Sequence, residues 1–581
     1  MHKLIILLII NFISFCSPLF ASNYEMPIGI PDTTINFTQD MPNRPDNWTE
    51  EKPGYYYIDY SKGSDSLTYG NEKKPRKTIP RTLPQGSYVE INGEYSYASG
   101  GLIKIYGIGS NEQWIANESG PVWLTTSTNE QGSFTKSTAM VWGENIFITG
   151  LNIKSGSKIQ IGSSTAGFSA NNIIVRNTIL NGTIDMGNGT LLAVKGSKNN
   201  PTTNVILYHN TLSDAGDINA TTDIDAGLMS SSGYASNIWF LENTGYNASG
   251  GGLQINAIPP YNASHNVYAG KNEFYNVRQG GLWVKYATNV VFSSNYVHNI
   301  ISTAWSPAKG LGGQYEPNGL WIINNRIHDV EYGIRIPSTN KVDDVSLKVY
   351  IIGNIIYDIH TESAVGTSSA WESAGIHIQG ADERFIYNNL IYNAPNGINI
   401  SATSGTTSIK NNVIVKMDNG HTENQEGYHI WSEHHDEQPS LTLSHNYIPS
   451  DELNVKLKNT SITTLFSLDD YLNNQTDNAY SSKNYSGIFE NTSLDMNDII
   501  SNGFNESSLW DYGEDIFTEL NSELSVATNS TIKLSKDILS NTRVKGFSVD
   551  IGPFERDTTN PDISTLDIPT QPSNITIKVT P

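Results

Sequence analysis

The sequence predicts an all-β protein folded as a parallel β-helix, a solenoid of about ten to twelve coils. Three observations lead to this prediction. A short strand that ends in Asn and an apolar residue recurs along the chain, and a second strand that begins with Gly recurs with it. Both strands alternate apolar and polar residues with a period of two, and both are too short to be helices.

The Asn-ended strand returns at irregular intervals of 23 to 35 residues, which indicates coils of short strands joined by loops of variable length. The recurring residues are Asn177, Asn210, Asn243, Asn272, Asn295, Asn325, Asn354, Asn389, Asn412 and Asn446. We expect each Asn to form a bend at one corner of its coil and to hydrogen-bond the equivalent amides above and below. A leucine-rich-repeat horseshoe is disfavoured because its leucine pattern is absent, and a propeller would need four strands per roughly 40 residues.

The Gly-led strands supply a second face of each coil. They occupy residues 252–256, 281–285, 333–337, 375–379, 397–401 and 427–431. Their alternation predicts that Leu282, Ile334, Ile376 and Ile398 point into the solenoid and stack about 4.8 Å apart along its axis.

The remaining segments are assigned around this core. Residues 1–21 are predicted to be a secretory signal peptide, because the apolar run at 4–15 is too short to span a membrane and small residues follow it. The predicted parts that follow are an extended lead-in (22–53), an N-terminal cap with the first coils (54–140), the core β-helix with a groove (141–450), an irregular C-terminal part of the solenoid (451–555) and a tail (556–581).

Charge and cysteine content exclude several classes of partner and chemistry. The net charge is −22, so the chain as a whole repels nucleic acid and anionic membranes. Cys16 is the one cysteine and lies in the predicted signal peptide, which leaves no disulfide and no Cys nucleophile in the mature chain. A disulfide-free secreted chain points to a bacterial protein, secreted or periplasmic. We expect no membrane insertion and a monomer.

Several sequence features resemble the right-handed parallel β-helix superfamily, which includes pectate lyase, alginate and chondroitin lyases and several glycoside hydrolases. They are YYYIDYSKGSDS (55–66), KKPRKTI (73–79), the Asn-ended coils and VDIGPFE (549–555). The resemblance covers residues 54–555. It implies a secreted enzyme acting on a polysaccharide that lies along an outer face of the solenoid. No one subfamily's catalytic motif is intact.

Aligning the Gly-led strands predicts two columns of outward side chains, about 5 Å apart between neighbouring coils. The first column reads Ala193, Met229, Gln254, Trp283, Gln314, Arg335, His377, Asn399 and His429. The second column reads Lys195, Ser231, Asn256, Lys285, Glu316, Pro337, Gln379, Ser401 and Trp431. The longest insertions, at 213–226, 300–312, 360–374 and 416–426, precede these strands and are expected to wall the same face into a groove.

The basic residues of these columns suit β-elimination on a uronic acid. This reaction needs a cation to neutralise the carboxylate, a base to take the C5 proton and an acid to protonate the leaving oxygen. Arg335 is the predicted carboxylate clamp, because guanidinium binds carboxylate through two hydrogen bonds. His377 or Lys285 is the predicted base, with Tyr286 or Tyr332 as acid. Lyases that this chain resembles often use Lys and Arg on neighbouring turns, whereas Lys285 and Arg335 are a coil further apart.

The other groove residues are assigned to substrate binding. Trp283 and Trp431 are expected to stack on sugar faces, and Gln254, Asn256 and Gln379 to bind hydroxyl groups. Glu316 and His429 complete the predicted substrate-binding set.

Carboxylates offer a rival interpretation. Four of them share one loop (Asp214, Asp217, Asp223 and Asp225), and Glu362 and Glu372 share another. A pair flanking a sugar bond would indicate a glycosidase. The first loop could instead hold Ca²⁺ through Asp223 and Asp225, although the predicted reaction requires no cofactor. His434 and His435 are interpreted as part of a polar loop, because no zinc motif surrounds them.

These observations favour a secreted carbon–oxygen lyase acting on an acidic, uronate-containing polysaccharide, which could be a sulfated algal one, or on its oligosaccharides. The elimination would either cleave the chain or expel water from a terminal uronate. One alternative is a β-helix glycoside hydrolase that uses Glu316 with an Asp of the 214–225 loop. The other is a non-catalytic glycan-binding protein or adhesin.

Overall fold

In the computed structural model, nearly all of the solenoid is described. The described residues are 24–109, 120–165, 167–257, 263–315, 317–337, 347–361, 373–402, 405–417, 427–433 and 440–444, and beyond them 446, 448, 455–459, 462–466, 520 and 575–577. The predicted signal peptide lies outside them, as do almost all of the predicted irregular part (451–555) and tail (556–581).

The described chain is built from β-strands. In chain order they are β1 (Tyr55–Ile58), β2 (Tyr88–Ile91), β3 (Glu94–Ile108), β4 (Val122–Thr126), β5 (Ser133–Thr149), β6 (Asn152–Lys154), β7 (Lys158–Ile161), β8 (Ala170–Arg176), β9 (Ile179–Asn181), β10 (Gly189–Gly196), β11 (Thr202–Tyr208), β12 (Thr211–Ala215), β13 (Ala226–Gly233), β14 (Ala235–Leu241), β15 (Thr244–Ala248), β16 (Leu253–Asn256), β17 (His265–Gly270), β18 (Glu273–Val277), β19 (Gly280–Lys285), β20 (Thr288–Ser293), β21 (Tyr296–His298), β22 (Lys309–Gln314), β23 (Asn318–Ile323), β24 (Arg326–Val330), β25 (Tyr332–Ile336), β26 (Lys348–Ile352), β27 (Ile355–Ile359), β28 (Ala374–Ile378), β29 (Glu383–Tyr387), β30 (Leu390–Tyr392), β31 (Ile398–Ile400), β32 (Thr406–Lys410), β33 (Val413–Val415), β34 (Ile430–Glu433), β35 (Ser440–Ser444), β36 (Val455–Asn459), β37 (Ile462–Phe466) and β38 (Ile575–Ile577).

The strands form three parallel faces of one solenoid, so the predicted all-β parallel β-helix is confirmed. The groove sheet contains β7, β10, β13, β16, β19, β22, β25, β28, β31 and β34. The covered sheet contains β8, β11, β14, β17, β20, β23, β26, β29 and β32. The lateral sheet contains β9, β12, β15, β18, β21, β24, β27, β30 and β33.

At the inward positions of the strands, aliphatic side chains recur from coil to coil, and together they fill the interior of the solenoid. Leu282, Ile334, Ile376 and Ile398 are all fully buried in it, as their alternation predicts. The pairs Ile334–Ile376 and Ile376–Ile398 are in direct register on adjacent strands. Burying each such side chain contributes roughly 1.5–3 kcal/mol, so the inward column is a main source of stability.

The asparagine ladder forms as predicted from Asn210 to Asn446. Each side-chain amide donates to the next, as from Asn295 to Asn325 and from Asn325 to Asn354, both at 2.9 Å. Two details of the prediction are wrong. From Asn210 to Asn412, the bend is made by the residue before each ladder Asn, which has positive φ, as at Ser294 (57°). Asn177 is such a bend residue, and its neighbour Thr178 donates its backbone N–H to the amide oxygen of Asn210 at 3.1 Å.

The lead-in packs on the outside of the covered sheet. Ile30, Phe37 and Trp48 are buried there among outward aromatic and aliphatic side chains of that sheet. Trp239 of β14 donates its indole N–H to the carbonyl of Pro31 at 3.1 Å. The residues predicted as a simple extended segment therefore cover a second apolar surface. Within the described part of the chain, no helix is long and apolar enough to cross a membrane.

Candidate active site

The groove sheet presents two outward columns, and the structure corrects several assignments within them. The observed first column runs Gln254, Trp283, Gly312, Arg335, His377, Asn399 and Trp431. The second includes Lys195, Ser232, Asn256, Lys285 and Gln314. Arg335, His377, Lys285, Gln254 and Asn256 therefore occupy the columns in which the alternation placed them.

The wrong column assignments arise because the number of residues before the groove-sheet strands varies from coil to coil. Met229 pairs with Leu192 and Leu253 and is buried, so the outward residues of that coil are Ser230 and Ser232. Gln314 belongs to the second column because it pairs with Lys285.

At the far end, Trp431 pairs with Asn399 and belongs to the first column. His429 precedes β34 and is buried. Glu316, Glu362, Glu372, His434 and His435 lie outside the described residues.

Lys309 is a site residue that the column alignment missed. It is the first residue of β22 and pairs with Gly280 on one side and Tyr332 on the other. The alignment took Gly312 as the leading glycine of this strand, whereas the pairing of Leu311 with Ile334 gives that place to Gly310. The Gly310–Leu311 pair resembles the Gly-led pairs of other coils. It was the sequence signal that could have identified Lys309 as a site residue.

The ammonium group of Lys309 is held among other cations. It donates to the Ser306 hydroxyl and lies 4.8 Å from the centroid of the Trp283 ring. Burial, together with the positive charges of Arg335 and Lys285, lowers the pKa of Lys309 to about 7, while Glu331 and Asp225 oppose the shift. A large part of this amine is therefore neutral at physiological pH, and it can accept a proton.

Arg335 projects from the middle of β25, on the strand adjacent to Lys309. Its guanidinium carbon lies 4.4 Å from the centroid of the Tyr332 ring. Its Nε is buried and has no hydrogen-bond partner among the described residues. The neighbour in the column is Gly312, where an added Cβ would come within 1.9 Å of the Arg335 carbonyl oxygen and 3.0 Å of Trp283. The absent side chain at Gly312 lets Trp283 and Arg335 lie close together.

His377 follows Arg335 in the column and is fully buried. Its ring stacks on Tyr332 at 5.5 Å between centroids, and its Nε2 lies 3.2 Å from the Ser401 hydroxyl. Burial, reinforced by the charge of Arg335, lowers the pKa of His377 to about 3. The imidazole is therefore neutral at pH 7, and it is a much weaker base than the amine of Lys309.

Lys285 completes a group that we call the cation cluster, with Lys309 and Arg335. Its pKa is lowered by burial, while Asp225 opposes the shift. Its ammonium lies 5.8 Å from the centroid of the Tyr315 ring, which stacks on Tyr286. In a chain of net charge −22, three cations on adjacent strands of one face form a local site for anions.

From the acidic loop (214–225), Asp225 acts electrostatically on the lysines of this site. The Asp225 carboxylate is exposed and accepts a hydrogen bond from the Gln279 side chain at 2.5 Å. Asp223 is also exposed. Across the described ranges, no three His, Cys, Asp or Glu side chains come together to hold a metal ion. Asp225 therefore interacts electrostatically with Lys285 and Lys309, and it is not part of a carboxylate cluster among the described residues.

The two tryptophans expected to stack on sugars are buried, which corrects that expectation. Trp283 is 7% exposed and Trp431 is 4% exposed. Trp283 lies beneath the Lys309 ammonium and donates its indole N–H to Gln314 at 3.2 Å. Their ring faces are not available to a ligand. Gln254 and Gln379 remain partly exposed, and Asn256 is exposed.

The comparisons with known proteins agree with this architecture. Residues 256–454 match the family model described as "Right handed beta helix region". With the strand topology, this match confirms the resemblance to the right-handed parallel β-helix superfamily. No curated protein matches the chain.

Solved structures with similar chains are carbohydrate-active enzymes of several kinds. One is a mannuronic acid specific polysaccharide family 6 lyase from human gut microbiota, with 14% identity, a TM-score of 0.35, and coverage of 64% of this chain and 79% of that one. Another is the GH136 lacto-N-biosidase from Eubacterium ramulus, with 12% identity, a TM-score of 0.35, and coverage of 66% and 67%. A third is a double mutant of the periplasmic alginate epimerase AlgG, with 10% identity, a TM-score of 0.31, and coverage of 55% and 72%. These activities belong to those proteins, since a shared fold does not fix a reaction.

Proposed function

We propose that this protein is a secreted or periplasmic carbon–oxygen lyase that acts by β-elimination on a uronate-containing polysaccharide or its oligosaccharides. The observation that carries the proposal is the pair formed by Lys309 and Arg335 on adjacent strands of the groove sheet. One member is a lysine with a pKa of about 7, and the other is a guanidinium with a buried, unsatisfied N–H. These are the base and the carboxylate ligand that the reaction needs.

Arg335 is the carboxylate clamp in this proposal. Its planar guanidinium can donate two parallel hydrogen bonds to a uronate carboxylate. Neutralising that carboxylate lowers the pKa of the C5 proton and stabilises the enolate-like charge that develops as the proton leaves. Because the Tyr332 ring lies 4.4 Å from the guanidinium carbon, the clamp is held in position before substrate binds.

Lys309 is the base. Its neutral amine accepts the C5 proton, the C–H electrons form the C4–C5 double bond, and the C4–O bond breaks. The leaving oxygen then takes a proton from the new Lys309 ammonium. Of the two tyrosines considered from the sequence, Tyr332 is in direct register with Lys309 but is fully buried, whereas Tyr286 is partly exposed, so Tyr286 is the better alternative acid.

His377 and Lys285 take supporting roles. A neutral, fully buried His377 can hold Tyr332 in place by stacking, without adding a further full charge beside Arg335. Lys285 extends the positive face toward β19 and can bind the carboxylate or sulfate of a neighbouring sugar. The proposed reaction uses no cofactor, and the protein would act as a monomer.

The test follows the new double bond and new chain ends separately. The mature chain is incubated with oligomers and polymers of mannuronate, guluronate, galacturonate and glucuronate, and ultraviolet absorbance is recorded beside a reducing-end assay. Rising absorbance with new reducing ends indicates a chain-cleaving lyase. Rising absorbance without them indicates elimination of water from a terminal uronate.

Variants connect the signal to the site. Lys309→Ala and Arg335→Ala should each lower the elimination rate by at least about 100-fold. Lys348→Ala, on the covered sheet, is the matched control and should leave the rate unchanged. New reducing ends without absorbance would replace the lyase with a glycosidase, and silence in both assays with retained binding would indicate a glycan-binding protein.

A further inference from the structure

The loop before Lys309 rises between two coils whose corresponding turns are short. The connection from β21 to β22 spans residues 299–308. On the preceding coil, only Arg278 and Gln279 connect β18 to β19, and on the following coil Glu331 alone connects β24 to β25. The 299–308 loop therefore projects above two tight turns, with no neighbouring loop beside it on either adjacent coil.

This loop is held in one conformation by hydrogen bonds. The Thr303 hydroxyl accepts the backbone N–H groups of Trp305 (3.2 Å) and Ser306 (3.0 Å). The Thr303 N–H in turn donates to the Ser306 carbonyl at 2.8 Å. The loop's last residue, Ala308, donates its N–H to the buried carboxylate of Glu331 at 2.8 Å. The turn that carries Trp305 is thus tied to the coil that carries Arg335.

Trp305 is the exposed aromatic residue of the 299–308 loop. Its side chain is 49% exposed, compared with 7% for Trp283 and 4% for Trp431. The next residue, Ser306, is the one whose hydroxyl accepts from the Lys309 ammonium. A large apolar ring left exposed on a braced turn, one residue from the hydroxyl that accepts from the proposed base, is typical of a binding surface rather than of a packing surface.

We propose that Trp305 forms a sugar-binding subsite, at which the indole face stacks on the pyranose ring next to the uronate held by Arg335. This inference rests on the proposed function for the position of the substrate. The C–H groups on one face of a pyranose are apolar and slightly positive, and they pack against the negative face of an aromatic ring. The contact does not depend on the sugar's charge, so Trp305 supplies affinity while the cation cluster selects the anion.

Binding and chemistry are separated by measuring affinity in a variant that does not turn substrate over. Isothermal titration of Lys309→Ala protein with mannuronate and galacturonate hexasaccharides gives the reference dissociation constant. Adding Trp305→Ala should raise that constant about three- to tenfold for the hexasaccharide that binds. Adding Trp305→Phe should restore most of the affinity. Adding Ile301→Ala, at a 37% exposed residue of the same loop, should change nothing and serves as the control.

A carboxyl-reduced form of the same hexasaccharide distinguishes the two proposals. Trp305→Ala should weaken the charged and the reduced sugar by the same factor, whereas Arg335→Ala should weaken the charged sugar alone. An unchanged affinity in Trp305→Ala overturns the subsite even where elimination is observed. Trp305-dependent binding without any unsaturated product overturns the lyase and leaves the subsite standing. No binding of either hexasaccharide to protein with Trp305 intact overturns the subsite.

Discussion

The positive charge of Arg335 helps to lower the pKa of Lys309 to about 7, from the adjacent strand of the groove sheet. Burial of the amine is the larger cause of this shift, and two like charges placed side by side disfavour the protonated amine further. The same guanidinium that can bind a carboxylate thus prepares its neighbour to act as a base. Binding of an anionic substrate would neutralise Arg335, so the amine would become more basic once substrate is in place.

The first prediction concerns the pH dependence of the reaction. Because the base must be neutral, kcat/KM should rise about tenfold per pH unit below about 7 and level off above it. Lys309→Arg should abolish the activity at every pH tested, because guanidinium stays protonated. Initial rates from ultraviolet absorbance between pH 4 and 10 measure the profile. An acid limb centred near pH 4 would point instead to a carboxylate base.

The second prediction concerns the counter-charge at Asp225. Its carboxylate raises the pKa values of Lys309 and Lys285, so Asp225→Asn should move the acid limb of the profile to lower pH. Asp223→Asn, at another exposed carboxylate of this loop, is the control and should leave the limb in place. An unmoved limb in Asp225→Asn would show that this carboxylate does not act on the base.

The third prediction concerns metal removal. Because elimination is assigned to Lys309 and Arg335, dialysis against a calcium chelator should leave the rate within about twofold of its starting value. Loss of activity that added Ca²⁺ restores would instead support the calcium site considered at Asp223 and Asp225. The same titration on Asp225→Asn would then show whether that residue binds the ion.

The fourth prediction concerns Gly312. Its φ of 152° and the 1.9 Å approach of an added Cβ to the Arg335 carbonyl oxygen leave no room for a side chain. Gly312→Ala should therefore destabilise the protein by about 2 kcal/mol or more and should displace Arg335. Gly187→Ala is the control, since an added Cβ there meets nothing within 4 Å. Thermal unfolding followed by circular dichroism gives both values, and equal midpoints for the two variants would contradict the prediction.

The fifth prediction separates ladder residues from bend residues. Asn325 is buried and joins Asn295 to Asn354, so Asn325→Ala should cost about 1–3 kcal/mol by leaving both neighbours short of a partner. Asn177 is exposed and outside the ladder, and glycine tolerates its φ of 51°, so Asn177→Gly should cost about 0.5 kcal/mol or less. Urea unfolding at fixed pH compares the two. Equal costs would mean that the ladder adds little to stability.

The fold was predictable because its signals are local and repeated. The alternation in 281–285 or 375–379 is enough to place Leu282 and Ile376 inside, since a strand has only two faces. The site was less predictable, because it depends on register between coils. One wrong leading glycine moved Gln314 to the wrong column and hid Lys309. The burial of Trp283 depends on the Lys309 and Gln314 side chains above it, which no pattern within one strand reveals.

The lead-in makes its contacts in reverse order along the solenoid. Glu25 accepts from Lys271, Pro31 from Trp239 and Phe37 from Arg176, while Arg44 pairs with Glu90. A solenoid alone has stability that propagates only between nearest coils. This segment joins coils nearly 200 residues apart in sequence, so that fraying at one end is opposed by contacts made at the other. Arg44 can pair with Glu90 early, but the contact of Glu25 waits for Lys271, so docking of this segment is complete only after half of the coils have formed.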